Sequence, residues 1–211
     1  MRKLSIVLAG CLMAILTGCG DSPTTAPAAK KEAAKPEPIT GQTAVFRMYG
    51  MARQWASDSQ VLQLQNIHLS DTPDGARGTG TAWEAVFTSQ TLHKSRSYTY
   101  SIVEGEGNLH KGTFGGPEER FSGTKGLLSP FLMAAVKVDS DAAYKTAMET
   151  VLSKAADYDK KNPGKPITIM LERTNKHPNP AWRIVWGASV GTSNFSVLVD
   201  ASTGAYLETT H

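Results

Sequence analysis

Two cysteines and five histidines are the side chains best able to attack a substrate or hold a metal. Their spacing argues against both roles. His68, His93, His110, His177 and His211 never fall at the i, i+3 or i, i+4 steps that put two ligands on one helix face. His177 lies in "KHPNP", a turn sequence that places it at the surface. Asp139-Ser140-Asp141 could hold a cation, but it stands where a helical pattern begins, and there such residues satisfy unpaired N–H groups. The stretch "DASTG", Asp200 to Gly204, has the composition of a catalytic aspartate triplet but the wrong spacing, and a hairpin turn accounts for it. Glu84 and Glu172 fall on polar strand faces, and Arg183 is placed to pair with Glu172 across two strands. There is no G-x-S-x-G elbow or phosphate loop, and "GTGT" at 78–81 and "GEG" at 105–107 lack the helix a dinucleotide site needs. No catalytic residue, metal or cofactor is expected, and the chain is not expected to be an enzyme.

The elements that would position these residues can be read from periodicity. Val45, Met48, Ala52, Trp55 and Ala56 recur at helical steps behind Thr40, a plausible N-cap. "QVLQLQNIHL" is a strand, and "DTPDGARGTG" is turn chemistry. In "TAWEAVF", Trp83, Ala85 and Phe87 share one face; in "SYTYSIV", Tyr98, Tyr100 and Ile102 do. "LHKGTFG" is a weak fourth strand. A second helix is predicted from Asp139 or Ser140 to Pro163-Gly164, with Tyr144, Met148, Val151, Leu152, Ala155 and Tyr158 as its apolar stripe. Three strands follow, with Ile167, Ile169 and Leu171, then Trp182, Ile184 and Trp186, then Phe195, Val197 and Val199 as their apolar sides. Gly204 suits the left-handed turn before "AYLETT".

This order, a helix and then strands, occurs twice. Sliding the halves until "AWEAVF" meets "AWRIVW" also superimposes the two helix starts, as an internal repeat would. The expected fold is α+β, with two tandem helix-on-antiparallel-sheet units (α-β-β-β) at residues 40–126 and 127–211. Trp55, Trp83, Tyr98, Trp182, Trp186 and Phe195 are the expected structural core.

The N-terminus carries a more specific pattern. Arg2 and Lys3 precede an apolar run, Leu4 to Leu16, that is too short to span a membrane but suits a signal peptide. The run ends in Leu16-Thr17-Gly18-Cys19, which resembles the lipobox of bacterial lipoproteins. The resemblance implies removal of residues 1–18 and lipidation, as in palmitate-bearing lipoproteins, of the Cys19 thiol. Cys19 would then anchor the chain in a lipid bilayer. No thiol would remain for a disulfide, a metal or catalysis, because Cys11 leaves with the signal peptide. Residues 19–39 are rich in Pro, Ala, Lys and Glu without apolar period and are expected to act as a tether. Gly20, in place of the aspartate linked with inner-membrane retention, favours the outer membrane facing the periplasm. The formal net charge of +3 includes Arg2 and Lys3, so the remainder is near neutral and gives no case for nucleic acid.

The second half resembles the PepSY domain group. The residues that carry this are "SDAAYKTAMETVL", the Trp182 strand "PAWRIVWG", and Val199-Asp200-Ala201-Ser202-Thr203-Gly204. The first half looks like a diverged copy that keeps Trp83 and the Tyr98 strand. The resemblance implies a cystatin-like module of secreted and envelope proteins, proposed to restrain peptidases, and supplies no catalytic residues. The expected function is a non-catalytic, membrane-anchored protein-binding module, a peptidase restraint in that family sense, whose partner is another envelope protein. The alternative is a structural or assembly factor of the envelope with no inhibitory role. Val86, Val103, Met170, Val185 and Leu198, apolar residues on otherwise polar strand faces, are the candidate binding face.

Overall fold

The alternating segments of the sequence become strands of one antiparallel sheet. The computed structural model describes residues 37–70, 78–107 and 109–210, which belong to one compact unit. The signal peptide, the lipobox, most of the tether and most of the turn in "DTPDGARGTG" lie outside the described residues. The architecture is α+β, with three helices and a large antiparallel sheet.

In chain order the elements are β1 (Ile39–Thr40), α1 (Gly41–Trp55), β2 (Gln60–Ile67), β3 (Thr79–Gly80), β4 (Ala82–Ser89), β5 (Lys94–Ser101) and β6 (Gly112–Arg120). Then come α2 (Ser140–Glu149), α3 (Ala155–Lys161), β7 (Ile167–Glu172), β8 (Ala181–Trp186), β9 (Ser196–Asp200) and β10 (Tyr206–Thr210). β1 and β3 form a small ribbon; the other eight strands form a sheet in the order β10-β9-β8-β7-β2-β4-β5-β6. Strands of residues 40–126 and of 127–211 therefore share one sheet, joined where β2 pairs with β7.

Register separates the two faces. One row runs Tyr98, Ala85, Leu64, Leu171, Trp182, Val199 and Tyr206 across seven strands. Cross-strand partners share a face, and this one is almost entirely apolar. The next row runs Thr99, Glu84, Gln65, Met170, Arg183, Leu198 and Glu208, and faces the other way. Helices α1 and α2 cover the apolar face: Ala44, Val45, Met48 and Ala52 from α1, and Ala143 and Ala147 from α2, join the strand residues in one core.

The tryptophans lie at the centre of this packing. Trp83, Trp182 and Trp186 are fully buried, and Tyr98 and Phe195 nearly so. Trp55, at the end of α1, is half-buried against the same core. Each indole N–H has an acceptor: Gly80 O for Trp83, Val138 O for Trp182, Asp159 Oδ1 for Trp186 and Glu118 Oε1 for Trp55. Such partners are what allow these amphipathic rings to be buried. Trp83 and Trp182 meet at the start of α1. A Cβ on Gly41 would lie 2.7 Å from Cη2 of Trp182 and 3.1 Å from Cη2 of Trp83, so the backbone approach requires glycine.

The helix starts are also joined. Thr40 occupies the N-cap of α1, but its side chain makes no capping bond. The α1 N–H groups are satisfied instead from α2: Gly41 N–H donates to Ser140 Oγ at 2.7 Å and Gln42 N–H to Asp139 Oδ1 at 2.9 Å. Asp139 Oδ1 also accepts from Ser140 N–H, its own helix, while Ser140 Oγ–H donates to Gly78 O at 2.6 Å. One Asp-Ser pair thus serves two helices and a loop. Ser140→Ala removes two of these bonds at a fully buried position and is expected to cost roughly 1–3 kcal/mol, measured as a lower urea midpoint with an unchanged slope.

The long second helix expected from the sequence is broken. After α2 come a 3-10 turn at Val151–Ser153 and a left-handed Lys154 (φ 59°), and α3 starts afresh at Ala155. Ser153 is the cause: its hydroxyl donates to carbonyls of Ala147 and Thr150, and its Oγ accepts from Ala155 N–H. Such local bonds compete with the helix ladder. The break turns Val151 and Leu152 outward, 89% and 74% exposed, while Ala155 is buried and Tyr158 stacks on Phe195 at 4.1 Å between ring centroids. The apolar stripe is therefore Tyr144, Met148, Ala155 and Tyr158, without Val151 and Leu152. Each meander also ends in a fourth strand, β6 or β10.

Candidate functional site

The sheet face opposite the helices is where a partner can reach strand side chains. Sequence parity places Val86, Met170, Val185 and Leu198 there, and the register agrees. They do not form an exposed apolar patch. Val185 is fully buried, Leu198 and Met170 are 3% and 8% exposed, and only Val86 is half-buried. Val103, just past β5, is half-buried against the helix-side core. Their cross-strand neighbours are polar. Arg183 stands directly opposite both Met170 and Leu198, and Val185 lies between Thr168 and Ser196. Thr168 is tied in turn, its Oγ1 donating to Gly187 O and contacting His68 Nε2 at 2.8 Å.

Arg183 also meets Glu172, Nε to Oε1 at 2.9 Å, as the strand pattern predicts. The N–H does not point along that line, so the contact is an ion pair without an aligned hydrogen bond. With the Glu172 side chain only 8% accessible, the pair keeps a carboxylate from being stranded in the sheet and adds little beyond that.

The accessible part of this face lies on the other side of the β2–β7 junction. A groove of about 800 Å³ is lined by Gln65 from β2, Glu84 from β4 and Thr99 from β5, three residues of a single transverse row. His68, Glu104 and Leu109 from the flanking loops close its sides. Its chemistry is that of a polar cradle rather than an apolar slot. The side-chain amide, hydroxyl and imidazole can donate or accept hydrogen bonds, and the carboxylates of Glu84, Glu104 and Glu106 favour a cationic or donor-rich guest. Glu104 is fixed in place: Lys111 N–H donates to Oε2 at 3.0 Å and His110 lies on Oε1, and these contacts hold its carboxyl below the usual range.

The turns around the sheet are built on carboxylates too. Burial disfavours the ionised form of Asp200, but hydrogen bonds from Asn179 and from the N–H groups of Ser202 and Thr203 outweigh it and lower its pKa. Asp200 therefore organises the hairpin that Gly204 closes at φ 78°. Asp139 and Ser140 are consumed in capping, and Asp141 Oδ1 accepts from Ala142 N–H. Among the described residues, no group of three or more His, Cys, Asp or Glu is placed to hold a metal ion. His177 is held against Glu208 at 3.0 Å, a contact of the β10 edge.

Asp58 has its carboxyl pulled well below the usual range. Ser89 Oγ donates to Oδ1 at 2.6 Å and Thr91 N–H to Oδ2 at 2.9 Å, which lowers its pKa from 3.8 to about 2. The carboxylate ties the start of β2 to the β4–β5 hairpin. Because the folded pKa is depressed, this contribution is fully present above pH 3.8 and is lost as pH falls towards 2. Asp58→Asn is expected to be less stable than the parent at pH 5, with the difference shrinking between pH 4 and 2. Denaturant melts across that interval measure it.

The groove was not foreseen. Its only signal in the sequence was Glu84 on a polar strand face without an assignable partner; aligning it with Gln65 and Thr99 requires the register of three strands.

No family model and no curated protein matches the chain. Among solved structures, a crystal structure described as "a putative lipoprotein" from Clostridium difficile 630 is similar at a TM-score of 0.44 and 8% identity, over 83% of this chain and 95% of that one. Among the described residues, no helix is long and apolar enough to cross a membrane.

Proposed function

We propose that the chain is a non-catalytic, protein-binding lipoprotein of the bacterial cell envelope, anchored through Cys19 and built as two tandem PepSY-like helix-on-sheet units. The tandem reading is supported by the positions of the tryptophans and helix starts: Gly41 and Ser140, the first residues of α1 and α2, are 99 residues apart, and so are Trp83 and Trp182. The anchor reading is supported by the order basic start, apolar run, Leu16-Thr17-Gly18-Cys19. The outer membrane facing the periplasm follows only from Gly20.

The observation that carries the binding role is the groove. The helices occupy one face of the sheet, and the row Gln65, Glu84 and Thr99 leaves an accessible polar cleft on the other. A cleft of about 800 Å³ lies within the range of ligand-receiving clefts, roughly 300–1,000 Å³. The partner class is an envelope protein with a basic or donor-rich segment, and the PepSY resemblance names a peptidase as the target.

The test is a photo-crosslinking side chain at Thr99, with a pull-down from detergent-solubilised envelopes. Recovery of one peptidase, lost when Glu84→Arg is introduced, supports a restraining module. Recovery of outer-membrane assembly machinery instead supports a structural or assembly factor with no inhibitory role. Equal recovery with and without Glu84→Arg would remove the groove from the account.

A further inference from the structure

The two main helices lie on the same sheet face, but their outward surfaces differ in chemistry. α2 turns Asp141, Lys145 and Glu149 to solvent, with Lys145 and Glu149 paired at i, i+4. That is an ordinary solvated helix face. α1, "GQTAVFRMYGMARQW", has no acidic residue along its whole length. Its exposed side carries Phe46 at 67% and Met51 at 39%, together with Arg47 and Arg53. Both guanidinium groups are braced over aromatic rings, Arg47 at 5.3 Å from the Tyr100 centroid and Arg53 at 5.9 Å from that of Tyr49. Beside Phe46 is a shallow cleft of about 810 Å³ lined in part by Tyr49 and Met133. Leu132, which precedes Met133, is 60% exposed. The carboxylate at the start of α1, Asp139, is already occupied by two N–H groups.

We propose that this face of α1 docks on an anionic lipid bilayer, with Phe46 and Leu132 entering the interface and Arg47 and Arg53 meeting headgroup phosphates. Aromatic and aliphatic residues flanked by cations, on a helix that itself carries no acid, form a surface suited to the boundary between headgroups and acyl chains. The place where the chain enters the folded part identifies the occupant. Ile39–Thr40 immediately precedes α1, so the chain enters the described fold at the start of the helix that carries this face. The inference rests on the Cys19 anchor and on residues 19–39 serving as the tether their composition leads one to expect; roughly 20 residues of extended chain span about 60 Å. Such a tether holds the face at an effective concentration in the millimolar range near the bilayer, where a contact too weak to bind free protein is populated. The groove, on the opposite side of the sheet, then points away from the membrane towards its partner.

The experiment uses the mature chain, from Cys19 onward, coupled through the Cys19 thiol to a maleimide phospholipid in vesicles of phosphatidylglycerol and phosphatidylethanolamine. Benzoylphenylalanine is placed in turn at Phe46, Leu132, Thr99 and Val190. Val190 controls for apolar exposure, being 40% exposed on the β8–β9 loop. Irradiation is expected to give several-fold more lipid adduct from positions 46 and 132 than from 99 and 190. Arg47→Glu with Arg53→Glu is expected to reduce the adduct at 46 several-fold. Equal yields at all four positions overturn the proposal, as do adducts from position 46 to a second copy of the chain in place of lipid. Because the coupling is chemical, the result does not depend on whether cells lipidate Cys19. That anchor reading fails separately, if protein extracted from envelopes has the mass of an unmodified thiol.

Discussion

Trp182→Ala is expected to destabilise the fold by roughly 3–5 kcal/mol, a fall in melting temperature of about 6–20 °C for a chain of this size. The indole is fully buried, flanked in its row by Leu171 and Val199. Its Nε1–H donates to Val138 O at 2.7 Å, the backbone just before the shared Asp139-Ser140 cap. Its far edge supports the first residue of α1. Removing it leaves a cavity under both helix starts and takes the indole donor from the half-buried Val138 carbonyl. Trp182→Phe should recover much of the packing but not the hydrogen bond, and so fall between the two. Thermal and denaturant unfolding of the three proteins measures this. Intact stability together with lost partner binding would contradict the core role and make the residue part of a site.

The second large effect is expected at Asn66. Only three residue pairs join β2 to β7: Gln63 with Glu172, Leu64 with Leu171 and Gln65 with Met170. Beyond them the side chain of Asn66 takes over from the backbone ladder. Its Oδ1 accepts from Ile169 N–H at 2.7 Å and its Nδ2 donates to Ile167 O at 3.2 Å. The residue is 4% exposed, so Asn66→Ala leaves a buried donor and acceptor without partners. At roughly 1–3 kcal/mol for each stranded group, the expected loss is about 2–6 kcal/mol. Asn66→Asp keeps the acceptor and loses the donor. The diagnostic measurement is hydrogen exchange: the Ile169 amide should lose protection in Asn66→Ala beyond the loss of global stability, and keep it in Asn66→Asp.

Much of the scaffold was legible because strand parity is local. The shared parity of Trp83 with Phe87, and of Trp182 with Trp186, already puts each pair on one face. Glu172 and Arg183 could be matched because their strands are neighbours in sequence. What failed depended on side-chain bonds that compete with the helix ladder or on interactions between distant parts of the chain. The stripe through Val151 and Leu152 keeps helical spacing, but it breaks where Ser153 bonds back to Ala147 and β10 comes alongside, Thr209 Oγ1 donating to Ser153 O. Thr40 has the right type for an N-cap, yet the cap arrives from Asp139 and Ser140. Val185 and Leu198 have the parity of an open face, yet both are buried. The groove unites residues of three strands and two loops, and such a union follows from register, which no single segment encodes.

The β2–β7 junction has a kinetic consequence. Each meander closes through contacts between neighbouring segments, whereas the junction joins positions such as Asn66 and Ile169, 103 residues apart. Its loop-closure entropy must be met before the contacts form, so the chain belongs with the slow, high-contact-order folders. Until then β2 and β7 each present a bare, pairing-competent edge. The same three pairs can be made between two chains as readily as within one. At high concentration, refolding should therefore yield an exchanged dimer in which each copy's first meander is completed by the other's second.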